Sequence, residues 1–310
     1  MAPQPGGSIV RRMPHAASAL VQPETLAKLH RLEVAARIVV EGLQTGMHRS
    51  PHKGHSVDFA DHRPYVPGDD LRHLDWKVLG KSDRLVLKRY EAETDLACTL
   101  AVDGSGSMAY HGERAAMTKY RYASILAATF GYLVLQQQDR VGLILFEEQA
   151  AAEVKPQSHQ FDRICRALDA HLPHARTDAT KSLEHLLLPT VRRGLVVMFS
   201  DLMVEPTELD RALDRLTRRG HDVALVWVLD PDEVDLGVPT VSRFEGLEGE
   251  APITAEPRSL REAYAEQVRL HRAAVQRSCV SRGIAMVECT TADPPQLPLN
   301  QLLVALNHER

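Results

Sequence analysis

Four short apolar runs govern what this chain can fold into: residues 98–102, 141–146, 195–199 and 223–229. Each is too short for a helix and shows no polar alternation. Each stands between stretches whose apolar residues recur at helical spacing. A strand that is apolar on both faces must be covered on both faces, and parallel sheets achieve this through helical crossovers. The pattern predicts an α/β chain with a doubly wound, mostly parallel sheet and helices on both faces. Strands near 97–102, 141–146, 195–200 and 223–229 are expected to be parallel and central. Residues 150–154 are expected as an antiparallel edge, 240–244 as a last edge strand, and 85–88 and 284–289 as further short strands.

Helices are expected over 113–137, 161–171, 180–188, 208–219 and 297–307. Another, opened by a capping box of Ser259 and Glu262, should run to about residue 282. Near the N-terminus, Leu26, Leu29, Leu32, Ala36 and Val39 predict a helix from Pro23 to about Gly42.

The first run stops abruptly at Asp103 and is followed by Gly104, Ser105, Gly106 and Ser107. A polar, glycine-rich turn after an apolar strand is how an open α/β sheet builds a site at the strand's carboxyl end. The spacing Asp-x-Ser-x-Ser lets one carboxylate and two hydroxyls converge if the loop curls, and glycines ease the curl. Such a set is all oxygen and suits Mg²⁺, Mn²⁺ or Ca²⁺ rather than zinc. Two other readings compete. A serine could simply cap the next helix. A nucleophile elbow needs Gly-x-Ser-x-Gly, which fails on both serines. The run ending at Ser200-Asp201 supplies a second strand-end carboxylate, and Thr177 lies between the two strands just before a helical stretch.

Composition adds limits. The 310 residues are 44% hydrophobic and 25% charged, which indicates neither disorder nor a fibre. A net charge of −4 gives no general affinity for nucleic acid. The four cysteines, Cys98, Cys165, Cys279 and Cys289, form no Cys-x-x-Cys pair and read as reduced thiols. No signal peptide and no membrane-length apolar run is visible, so a cytoplasmic chain is expected.

Three segments are expected: a disordered tail over 1–22, a helix and loop-rich block over 23–95, and the sheet domain with a C-terminal helical extension over 96–310. Residues 46–89 are dense in His, Asp, Arg, Gly and Pro. They read as a cap in which Phe59, Tyr65 and Trp76 pack and Arg63, Arg72 and Arg84 pair with Asp69, Asp70, Asp75 or Glu91. A second metal or nuclease cluster of Asp58, Asp61, His62 and their neighbours is the weaker alternative.

The ordered set of Asp-x-Ser-x-Ser, a threonine loop and a strand-end aspartate resembles the metal-ion-dependent adhesion site of the von Willebrand factor A fold. That resemblance implies a cation held by Ser105, Ser107 and Thr177, with Thr180 as the fallback for Thr177. Asp103 and Asp201 would hold metal-bound waters. The stretch from Val57-Asp58-Phe59 through Arg63-Pro64-Tyr65-Val66-Pro67-Gly68-Asp69-Asp70-Leu71-Arg72-His73-Leu74-Asp75-Trp76-Lys77, with Arg84, Lys88 and Glu91, is similar to the signature of domain-of-unknown-function family 58. In that family the signature precedes a von Willebrand A-like domain. The resemblance implies a non-catalytic, metal-dependent protein-binding module whose partner is a MoxR-type AAA+ ATPase or its client. A partner's carboxylate would complete the metal. The rivals are a metal-dependent phosphoesterase and a metal-free scaffold. No lysine or histidine is tied to the loop by sequence.

Overall fold

The computed structural model describes residues 20–47, 62–64, 86–88, 96–147, 152–173, 193–235, 242–244, 253–255 and 257–308. Helices α1 (Pro23–Ala27) and α2 (Leu32–Met47) precede a small antiparallel ribbon of β1 (His62–Pro64) and β2 (Val86–Lys88). Strands and helices then alternate: β3 (Ala97–Asp103), α3 (Lys119–Gln136), β4 (Arg140–Phe146), β5 (Ala152–Gln157) and α4 (Phe161–Ala170). They continue as β6 (Leu195–Ser200), α5 (Pro206–Arg218), β7 (Asp222–Leu229) and the short α6 (Pro231–Asp235). A second ribbon pairs β8 (Ser242–Phe244) with β9 (Ile253–Ala255), and α7 (Pro257–Val280), β10 (Ala285–Thr290) and α8 (Gln296–His308) follow.

Six strands form the main sheet in the order β10-β7-β6-β3-β4-β5. Every neighbouring pair is parallel except β4 with β5, so the four central strands stand as the apolar runs require. Alternate residues of each strand enter different cores. Leu100, Val102, Val197, Phe199, Val226 and Val228 pack into one, beneath α2, α3, α4 and α8. Ala101, Val196, Met198, Leu225 and Trp227 pack into the other, with α5 and α7. The sheet is therefore doubly wound, with helices on both faces.

The topology fixes where a site can form. From β3 the chain steps outward to β4 and β5, then returns to place β6 on the other side of β3. Strand order reverses there, and the crevice at the carboxyl ends of β3 and β6 is the expected ligand position in an open α/β sheet.

Four local expectations need correction. The helix expected from Pro23 to Gly42 is broken into α1 and α2. Arg121 spans the break: it donates to the Leu29 and His30 carbonyls and pairs with Asp169, which also accepts the Leu32 N–H. The helix expected from residue 113 begins only at Lys119, where the Thr118 hydroxyl accepts from Arg121 N at 3.2 Å. That cap sets the start. The expected edge strand 240–244 is instead β8, paired with β9 apart from the main sheet. The capping box is absent because α7 opens at Pro257, leaving Ser259 inside the helix.

Candidate functional site

The pairing of β3 with β6 runs in register from Cys98–Leu195 to Val102–Phe199, so Asp103 and Ser200 emerge side by side. The Ser200 hydroxyl donates to Asp103 Oδ2 at 2.5 Å, and Ser105 N–H donates to Oδ1 at 2.9 Å. Asp103 is thus fully engaged although only 5% exposed. The loop curls into a short 3₁₀ turn over Gly106–Ala109, and this brings Ser105 Oγ within 3.1 Å of Ser107 Oγ. Ser105 makes no side-chain capping bond to that turn. With α3 capped by Thr118, the reading of these serines as helix caps falls away.

Gly104 admits the curl as expected, by having no Cβ to clash, and does so without entering the left-handed region. Among the described residues only Gly220 and Gly283 are glycines with positive φ. Gly104 is needed for a close approach instead. A Cβ there would sit 2.6 Å from His171 Nε2. His171 lies just past α4, and its Nε2 is 3.2 Å from the Gly104 carbonyl.

Asp201 is 1% exposed at the end of β6. Its Oδ1 accepts from Met203 N–H at 3.1 Å, and its Oδ2 accepts from Lys119 Nζ at 2.8 Å. The same ammonium donates to Glu233 Oε1 on α6 at 2.5 Å and is fully buried. The turn after Asp201 is strained: Leu202, a branched residue, has φ 52. It is held by three bonds, from Trp227 Nε1 to the Asp201 carbonyl, from Leu202 N to Ser200 Oγ, and between His271 Nε2 and the Leu202 carbonyl.

The electrostatics follow from burial. Desolvation, helped by the Asp201 charge, pushes the Asp103 carboxyl up to about 6 against the pull of its Ser200 and Ser105 donors. Burial also raises Glu233, although Lys119 opposes it. For Lys119, burial works against the charge, yet Asp201 and Glu233 outweigh it and hold the ammonium above its ordinary value.

A divalent cation is what the resemblance implies, and the described donors fit one. They are hard oxygens: two facing hydroxyls and a carboxylate, with a second carboxylate at the neighbouring strand end. Of the four charged groups linked here, Asp103, Asp201 and Glu233 are acidic and Lys119 alone is basic, which leaves an excess of negative charge. No group of three or more His, Cys, Asp or Glu among the described residues could hold a metal. A site here must therefore rely on hydroxyls. Thr177, its fallback Thr180, and residues 48–89 of the aromatic and arginine block apart from the backbone of β1 and β2 lie outside the described residues.

The structure brings together Asp103, Ser105, Ser107 and Asp201, and adds Ser200, Lys119, Glu233 and His171. Two of the added residues carried a signal. Ser200 is a hydroxyl at a strand end beside a candidate. Lys119 sits in the first turn of a helix, where the helix dipole disfavours a cation, so it needs a compensating acidic partner.

Residues 61–274 match the model of the family described as "Protein of unknown function DUF58". An uncharacterized protein of Mycobacterium tuberculosis is 27% identical over 277 residues, spanning 87% of this chain and 86% of its own length. An uncharacterized protein of Mycobacterium avium is 31% identical over 119 residues, spanning 37% of this chain and 68% of its own. Among solved structures the chain is similar to the SpRpn10 VWA domain, with a TM-score of 0.44 and 10% identity over 66% of this chain and 94% of that one. It is also similar to the conserved hypothetical protein BatB from Bacteroides thetaiotaomicron, with a TM-score of 0.43 and 15% identity over 68% and 99%.

Proposed function

The chain belongs to the DUF58 family, and from the strand-edge geometry we propose that it is a non-catalytic, metal-dependent protein-binding module. Asp103, Ser105, Ser107 and Asp201, together with Thr177, hold a divalent cation such as Mg²⁺, Mn²⁺ or Ca²⁺. The observation that carries the reading is the facing pair of Ser105 and Ser107 hydroxyls beside the buried Asp103, at the point where strand order reverses. When bound, the metal supplies a positive centre that a carboxylate from another protein completes.

The protein's own residues set up the rest. Ser200 and the Ser105 N–H aim Asp103, and the strained Leu202 turn fixes Asp201. Lys119 is bonded between two carboxylates, which favours binding over proton transfer. Two large exposed apolar side chains flank the site in sequence: Leu172 directly follows His171, and Met203 lies two residues past Asp201. They suit a partner that presents an acidic residue beside apolar ones. The family resemblance supplies a candidate partner, a MoxR-type AAA+ ATPase or its client.

The test is a pulldown or calorimetric titration with such an ATPase, wild type against Asp103→Ala, with and without EDTA. Binding should need both the aspartate and the metal, and added Mg²⁺ or Mn²⁺ should restore it after chelation. Equal affinity in all arms removes the site from the interface. Turnover of generic phosphodiesters with Mg²⁺ or Mn²⁺, abolished by Asp103→Ala, would favour a hydrolase instead.

A further inference from the structure

Among the described residues Lys119 is the one basic side chain bonded to both Asp201 and Glu233. It opens α3, its backbone N–H donates to the Tyr110 carbonyl at 3.1 Å, and its Nζ lies 5.9 Å from the Tyr110 ring centre. Its side chain has no solvent exposure, so the ammonium must stay with Asp201 and Glu233. Glu233 is anchored in turn. Its Oε2 accepts the Asp230 N–H at 2.8 Å, and its backbone carbonyl accepts from Tyr264 Oη at 2.6 Å. Around this ladder, the segment after the serine turn is fastened to α6. Gly112 N–H donates to Asp230, and Arg114 pairs with Asp232 and Asp235.

The ammonium is therefore a fixed positive charge shared between a residue of the metal set and a residue outside it. Among the described residues Glu233 makes no hydrogen bond to Asp103, Ser105 or Ser107, yet it shares the ammonium with Asp201. We propose that Lys119 is a positioning residue that sets how strongly the site holds a divalent cation, and that Glu233 tunes it by drawing part of the ammonium's charge away from Asp201. This rests on the metal-binding reading above.

The inference has a sign that a merely structural role lacks. Replacing Lys119 with a neutral side chain removes a positive charge next to the cation, so affinity should rise. Replacing Glu233 with glutamine leaves the ammonium to Asp201 alone, so affinity should fall. At these short separations each change should be about tenfold at constant ionic strength. If the ladder only braces the fold, both variants loosen Asp201 and both weaken binding.

The experiment is calorimetric titration of Mn²⁺ into the full chain, with a thermal melt of each variant. The set is wild type, Lys119→Met, Glu233→Gln and Asp103→Ala. Tighter binding in Lys119→Met and weaker binding in Glu233→Gln supports the inference. Mn²⁺ bound by Lys119→Met and not by wild type also supports it. Changes in one common direction, or none, overturn it. Should Lys119→Met melt below the assay temperature, Lys119→Gln takes its place with the same expected sign, and unchanged or tighter binding in Glu233→Gln overturns the inference on its own. Asp103→Ala separates the two levels. If wild type binds and Asp103→Ala does not, the metal reading stands whatever the Lys119 result. If no variant binds Mn²⁺, both fall. If Asp103→Ala binds like wild type, the metal site assigned here is wrong and the inference falls with it.

Discussion

Asp103 and Asp201 are both aspartates, both buried, and both at the ends of adjacent parallel strands, yet they are held in opposite ways. Asp103 is met by neutral donors, a hydroxyl and a backbone N–H. Asp201 is met by an ammonium and a backbone N–H. The difference shows that burial alone does not set a carboxylate's behaviour. A neutral donor orients the group without cancelling its charge, whereas an ammonium does both. Asp103 consequently carries the larger share of the local charge problem, and it is the group a cation relieves most.

The largest way to break this contrast is to delete each carboxylate in chelator-treated protein. Asp201→Ala leaves the buried Lys119 with only Glu233, and losing one partner of a buried ion pair costs about 3–5 kcal/mol. Asp103→Ala removes a charge opposed by burial and should cost far less. Chemical denaturation of both variants checks this, and equal losses would erase the contrast.

A smaller effect comes from pH. The folded-state value of Asp103 lies above its unfolded one, so the folded protein holds this proton more tightly. Its contribution to stability therefore falls as pH rises from about 3.8 to about 6 and stays at its lowest above that range. The span is on the order of 3 kcal/mol in metal-free protein. Asp103→Asn should flatten that slope and leave the metal-free protein more stable at neutral pH. An unchanged slope in denaturation curves across this range would place the titration elsewhere.

Ser200→Ala sharpens the picture further. It removes the hydroxyl donor to Asp103 and the acceptor of Leu202 N–H, at a cost of about 1–2 kcal/mol. It should also move the Asp103 titration upward, because the donor stabilises the charged form. Carbonyl-carbon NMR of the side chain reads this shift. The smallest expected effect is Arg114→Ala. Its pairs with Asp232 and Asp235 lie at a side chain 43% exposed, so the loss should stay below about 1 kcal/mol. A larger loss would mean that the fastening to α6 supports the Lys119 ladder.

Much of the fold was legible because strands buried on both faces must be continuously apolar, and runs of that kind mark β3, β4, β6 and β7 unambiguously. Asp103 and Asp201 were legible for the same reason, as each ends such a run. Lys119 was not. Its partner Glu233 lies far along the chain in an acidic stretch, and periodicity cannot say which carboxylate meets which helix. The start of α3 was misplaced because the alanines and Met117 extend helical spacing back past Thr118, whose hydroxyl in fact ends the capping search. The strand at Ser242–Phe244 read as part of the main sheet because spacing along the chain does not reveal which partner a short strand takes. The functional role of Thr177 rests on resemblance alone.

Helix α2 packs into the same core as α8: Val39 and Leu43 join Leu299 and Leu302 in one cluster, and Gly42 lies against Gln296. These contacts close a loop running from Met47 to Gln296 and enclosing all six strands of the sheet. During synthesis, α3 and α4 emerge well before α8 and cover much of the apolar stripe of α2, and the remainder waits for α8. Completion of this core is therefore a late, entropically expensive event. A chain that lacks α8 would leave only the α8-facing part of α2 exposed, a smaller apolar surface of the kind that invites chaperone capture.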